Sequence, residues 1–134
     1  MVRRYLLRAL LIPVFLRAQD PAKHITLRGK LVSGAALEVA DGKTIQLEGD
    51  RPTEGVIKDK RLFGKEFELI GDFAAPDRFR ILPIHLKAMF VHQNGKKLFV
   101  TYWCDVCSIR TYTPGTCWCC QEETQLDLRE RYEQ

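Results

Sequence analysis

The chain reads as a mainly β fold with one short helix and a cysteine knuckle near its C-terminal end. Three observations predict this. From residue 25 onward, segment after segment alternates apolar and polar residues with the strand period of two. Two dipeptides between such segments, Asp41-Gly42 and Asn94-Gly95, favour the positive φ that two-residue hairpin turns require. All five cysteines, Cys104, Cys107, Cys117, Cys119 and Cys120, lie within one stretch. The 134 residues suffice for one small domain.

The elements follow in order. Ile25 to Val32 alternates until its last two residues and predicts a half-buried strand. Ala36 to Ala40 and Thr44 to Glu48 flank Asp41-Gly42 and predict a hairpin, which Gly49 to Pro52 ends. Thr53 to Leu62 is the one helix expected in the body. Thr53 is placed to cap it, Glu54 suits the positive end of its dipole, and Gly64 is placed to stop it. Gly55 costs that helix roughly 1 kcal/mol against alanine. Glu66 to Phe73 predicts the next strand and Ala74 to Asp77 a turn. Arg78 to Leu82 predicts a strand that Pro83 bulges or places at an edge. Ile84 to His92 is expected to continue extended. Asn94-Gly95 should join Met89–Gln93 to Lys96–Trp103, whose apolar residues on both faces predict a strand buried between layers. In the polar tail, residues 122–134, Thr124 to Leu128 has the pattern of an edge strand. The expected organisation is a leader over 1–18, a body over 19–103, a cysteine knuckle over 104–121, and the tail.

One helix placed midway along a run of short strands is similar to the OB-fold and related small β-barrels. The resemblance covers Ile25 to Trp103 and rests on element order and length. It implies a closed, OB-like barrel, with a binding face in some members. The layout is also similar to small exported bacterial proteins of unknown function that join a barrel-like body to a C-terminal C-x-x-C and C-x-C-C cluster; this resemblance implies no activity.

The first eighteen residues carry Arg3, Arg4, Arg8 and Arg17 and no acid. An apolar run from Ala9 to Leu16 follows the basic start, and Leu16-Arg17-Ala18 precedes a polar stretch, which predicts an export signal cleaved after Ala18. The run is too short to span a bilayer. Val2-Arg3-Arg4-Tyr5-Leu6-Leu7-Arg8 resembles the twin-arginine export motif, with Arg3 and Arg4 as the pair, Leu6 and Leu7 at its apolar positions, Arg8 in place of Lys, and Val2 departing from it. That resemblance implies export of a folded protein to the periplasm or beyond; an ordinary secretory signal stands beside it. Of the 21 lysines and arginines, four belong to this leader, leaving 17 to balance 17 acids. A neutral body lacks the electrostatic footprint of a nucleic-acid binder. A protein or oligosaccharide partner is compatible with it.

Cys104/Cys107 and Cys117/Cys120 form two C-x-x-C pairs separated by Ser108 to Thr116. This is the spacing of two loops closing on one tetrahedral metal ion, each loop delivering two thiolates. Thr113-Pro114-Gly115 supplies a turn between them. Zinc is the first expectation; mononuclear iron or an iron–sulfur cluster satisfies the same geometry. Cys119 is an alternate ligand or a spare thiol, and Cys117-Trp118-Cys119-Cys120 also suits Cu(I). Disulfides persist in an exported protein, so two bridges and one thiol form a competing reading, and a redox-active pair a third. Trp103-Cys104-Asp105-Val106-Cys107 resembles the W-C-x-x-C of thioredoxin-like proteins but lacks the helix and strands that follow it there. Trp103 and Trp118 are expected to shield the site from water. His24, His85 and His92 read as ordinary strand residues, His85 on the barrel's polar face, and no catalytic triad, phosphate loop or helical zinc-protease motif is present. The residues thus point to a non-enzymatic exported module, with a redox or electron-transfer protein as the alternative.

Overall fold

The computed structural model describes residues 23–131, so the expected export signal, its cleavage point and the last three residues of the tail lie outside the described residues. The described chain is mainly strand. β1 (Ile25–Val32) pairs antiparallel with β2 (Ala36–Glu38), and β2 with β3 (Thr44–Glu48). The chain then crosses through the helix α1 (Arg51–Ile57) to β4 (Glu66–Ala75) and returns in β5 (Arg78–Ile81). β5 pairs parallel with β3, and β4 pairs antiparallel with β1, so the order β1-β2-β3-β5-β4 closes on β1. This is a closed five-stranded barrel of the OB-like kind that the element order implied.

The ring closes within Ile25–Ile81, and the next strands build outward from it. β4 is long enough to serve two partners along one edge. Its second half pairs with β5, while Glu66 to Leu69 pairs with β6 (Met89–Gln93). β6 turns through Asn94 and Gly95, both at positive φ as the hairpin predicted, into β7 (Lys96–Cys104). β7 repeats the device of β4. β6 and β8 (Ile109–Thr111) share one edge of it, and β9 (Gln125–Arg129) takes the other, so the tail's expected edge strand is present.

One core serves both parts. Leu31, Leu37, Leu47, Phe67, Leu69, Phe79 and Ile81 fill the barrel, and Val56, Ile57 and Leu62 close it from the side of the helix. Val91, Leu98, Val100 and Tyr102 continue the same cluster under the outer hairpin. Each such side chain contributes about 1.5–3 kcal/mol by leaving water. β7 is buried mainly on one face: Leu98, Val100, Tyr102 and Cys104 lie inward, while on the other face Thr101 is buried and Phe99 and Trp103 are half-buried.

Local structure departs from expectation in two places. The helix is Arg51–Ile57, capped by Asp50, whose Oδ1 accepts from the Thr53 amide at 3.0 Å and the Thr53 hydroxyl at 2.6 Å. Pro52 stands in its first turn, where its missing N–H costs nothing. A separate 3-10 turn, Lys60–Leu62, follows, capped by Asp59. Asp outcompetes Thr as a cap because its carboxylate also meets the positive end of the helix. The second departure is the stretch after Pro83. Ile84 has φ of 67° and leads a 3-10 turn, His85–Lys87, before extended structure resumes at Met89. The chain must bend here to leave β5 and re-enter pairing on the same edge of β4.

Candidate metal centre

Cys104 ends β7, and the inward phase that buries Leu98, Val100 and Tyr102 also buries it, to 2% exposure. The chain then reverses tightly. Ser108, at φ of 54°, donates its amide to the Cys104 carbonyl at 2.8 Å, and the Cys107 amide donates to the Cys104 sulfur at 3.4 Å. The second loop repeats this construction. Gln121, at φ of 67°, donates its amide to the Cys117 carbonyl at 2.8 Å, and the Cys119 amide donates to the Cys117 sulfur at 3.4 Å. In both loops the fourth residue after the first cysteine closes the turn, and a following amide is aimed at that cysteine's sulfur. Such N–H···S bonds are the outer support that thiolate ligands require.

Several contacts hold the loops together. The Gly115 carbonyl accepts from the amide and the hydroxyl of Thr124 at 3.0 and 2.8 Å, and the Cys117 amide donates to the Glu122 carbonyl at 2.7 Å. Gly115 has φ of 129°, a conformation that a side chain would strain, so the turn predicted at Thr113-Pro114-Gly115 depends on it. Pro114 lies against α1 beside Gly55: a Cβ there would sit 3.7 Å from the proline ring. Gly55 thus faces the loop that carries the second cysteine pair, at a distance where a methyl group would make ordinary van der Waals contact. His85 Nε2 donates to the Tyr112 carbonyl at 2.6 Å, and the side chain is buried rather than on a polar barrel face. With a carbonyl as partner, the imidazole nitrogen carries the hydrogen.

The result is convergence of four sulfurs. Those of Cys104, Cys107, Cys117 and Cys120 all lie within 4.8 Å of one another, and Cys104 and Cys120 are 3.5 Å apart. A tetrahedral zinc ion with bonds of about 2.3 Å places its sulfurs about 3.8 Å apart. The cluster therefore needs little adjustment to accept such an ion. Cys104 and Cys117 are buried, Cys107 and Cys120 half-buried, and all five cysteines are thiols. Cys119 is exposed and outside the quartet; its backbone, not its sulfur, supports Cys117.

The sulfurs are not equivalent. Amides of Cys120 and Cys119 aimed at Cys117 bring its thiol down to about 7, easing loss of the proton that a metal must displace. Cys107 is pushed up, first by its hydrogen bond with the Cys119 thiol and then by burial.

A polar clamp joins this segment to the barrel, and it was not legible as a functional element beforehand. The Tyr102 hydroxyl donates to Asp59 Oδ2 at 2.7 Å. Arg61 donates to both oxygens of Asp59 through Nε and a terminal nitrogen, at 3.0 and 3.1 Å, and to the Thr124 carbonyl at 2.9 Å. Tyr102 precedes the first cysteine pair and Thr124 follows the second, so one guanidinium–carboxylate pair holds both ends of the segment. Burial pushes Asp59 up, but Arg61 and Tyr102 outweigh it and hold its carboxyl below the usual range; Tyr102 is pushed up by burial and by that carboxylate. The available signal was Tyr102 at an inward strand position, because a buried tyrosine hydroxyl needs a partner.

Two expectations about neighbours change. Trp118 is 73% exposed at the tip of the second loop and shields nothing, because its place between two turn-forming cysteines points it away from the core. Trp103 is half-buried, with the Arg110 guanidinium 4.8 Å above its ring. His24 pairs with Asp72 at 3.0 Å and His92 with Glu68 at 2.7 Å, so neither joins the quartet. A separate cleft of about 550 Å³, lined by Gly34, Gln46, Leu47, Lys58, Lys60 and Phe63, includes no residue of the cysteine segment. Among the described residues, no helix is long and apolar enough to cross a membrane. No family model matches the chain, and no curated protein or solved structure matches it.

Proposed function

We propose that this protein is an exported, non-enzymatic β-barrel module whose four-cysteine centre, Cys104, Cys107, Cys117 and Cys120, binds one structural zinc ion. The observation that carries this reading is the convergence of the four sulfurs within 4.8 Å from two loops of the same construction. The donor set supports it chemically: four thiolates suit a closed tetrahedral site, and a closed site leaves no position for substrate. The ion's role is to lock residues 104–120 against the barrel, since binding energy in such a site is also folding energy. Export rests on the basic, apolar leader, and a neutral body speaks for a protein or oligosaccharide partner over nucleic acid. Iron in the same four thiolates is the alternative, and colour separates the two.

Native mass spectrometry of the protein purified from its own compartment tests the reading. One bound zinc, four protected thiols and an N-terminus near Gln19 are expected. A chelator should expose the thiols of residues 104–120 and leave the barrel folded. Thiols that stay protected against chelator and are released only by reductant would overturn the metal site in favour of disulfides.

A further inference from the structure

The cleft set apart from the cysteine segment has a charge pattern of its own. Its volume, about 550 Å³, lies in the range of small-molecule sites. Buried Leu47 and Ile57 give it an apolar floor, and half-buried Phe63 adds an aromatic side. One wall is the turn between β1 and β2, where Gly34 and Ala35 both have positive φ. That wall is fastened to β3. Gln46 Nε2 donates to the Gly34 and Ala35 carbonyls at 2.7 and 3.1 Å, and the Leu47 amide donates to the Ala35 carbonyl at 2.8 Å. The wall is therefore preformed and its carbonyls are already engaged, which leaves few partners for the many hydroxyls of a sugar. Lys58 and Lys60 line the same cleft, at the end of α1 and the start of the 3-10 turn. Both are exposed, and among the described residues neither side chain has an ion-pair or hydrogen-bond partner. Asp59 stands between them in sequence, yet the clamp has taken its carboxylate: its oxygens are committed to Arg61 and Tyr102, and its side chain is 6% exposed. The one acid lining the cleft is Glu54, also without a partner among the described residues. Two cations against one acid leave a surplus of positive charge beside an apolar floor.

We propose that this cleft binds a small organic anion with an apolar body, of the class of medium-chain fatty acids. The acyl chain lies against Leu47, Ile57 and Phe63, and the carboxylate meets the ammonium groups of Lys58 and Lys60. Lysine suits the task, because its long stem covers apolar surface while its charge reaches a carboxylate at the mouth. A cation of the same shape would meet the two lysines as like charges. A short acid would forgo the apolar contact, which supplies the larger share of the binding energy. No residue of the cleft belongs to the cysteine segment, so the proposal stands apart from the metal reading.

The test uses the full, isotope-labelled chain, titrated with decanoate, with acetate and with decyltrimethylammonium, each below its micelle concentration. Backbone amide signals of Gly34, Leu47, Lys58 and Phe63 should move saturably with decanoate and stay in place with the other two. Lys58→Gln and Lys60→Gln combined should weaken decanoate binding roughly threefold to tenfold, the worth of two exposed ion pairs. Glu54→Gln should strengthen it by removing the one repulsive carboxylate. These three side chains have no partners among the described residues, so the spectrum without decanoate should keep its dispersion in every variant. Decanoate that moves no cleft amide, decyltrimethylammonium that moves the same amides, or a double variant that binds as tightly as the parent overturns the proposal.

Discussion

Tyr102→Phe removes one oxygen atom from the clamp between the barrel and the cysteine segment. Tyr102 is fully buried and its hydroxyl donates to Asp59 at 2.7 Å, while the Asp59 side chain is 6% exposed. The ring stays, so no large cavity opens; the loss is that of a hydrogen bond to a charged group, about 1.5–3 kcal/mol. Asp59 keeps both Arg61 contacts, which places the expectation in the lower half of that range. At roughly 4–8 °C per kcal/mol for a domain of this size, the midpoint should fall by about 6–18 °C. The effect carries a pH signature. Asp59 has a folded pKa below its ordinary value, so its contribution is present above the unfolded carboxylate pKa and is lost as pH falls through the folded one. The gap between parent and variant should therefore be full at neutral pH and shrink in the acid range, below about pH 4. Thermal unfolding by circular dichroism, repeated across pH on zinc-loaded protein, reads both. A variant that melts with the parent at pH 7, or a gap that grows in acid, would refute the clamp.

Three further outcomes are open to direct measurement. Val100→Asp buries an unpaired charge in β7, where Val100 is 1% exposed, and should cost several kcal/mol, a large part of a small domain's stability; near-normal melting would contradict the shared core. Gly71→Ala drives a Cβ into the Arg80 carbonyl oxygen where β4 and β5 pair, so loss of soluble, folded protein is expected, and an undisturbed circular dichroism spectrum would speak against the closure at that seam. Replacing Arg3 and Arg4 together by Lys should leave the precursor unexported if the twin-arginine route is used; unchanged export would reject that route and leave an ordinary signal standing.

Strands and hairpins were readable in this chain because their information is local. Alternation along Ile25–Val32 and turn chemistry at Asp41-Gly42 and Asn94-Gly95 act between residues close in sequence, and each element formed where its pattern lay. The four-cysteine set was readable for the same reason: a C-x-x-C loop is a local device, and two of them invite one another. Caps were less so, since Asp50 and Thr53 both have capping chemistry, and the carboxylate of Asp50 is the one that meets the positive end of the helix. Long-range geometry decided the rest. No local pattern states that β4 serves both β5 and β6 along one edge, or that Pro114 packs beside Gly55. Asp59, Arg61, Tyr102 and Thr124 come from three separate stretches, and their meeting depends on the closed barrel setting the helix side beside the end of β7. The same closure separates the fates of five like residues. Five cysteines carry the same side chain, and only packing buries Cys104 and Cys117 while leaving Cys119 in water beside them.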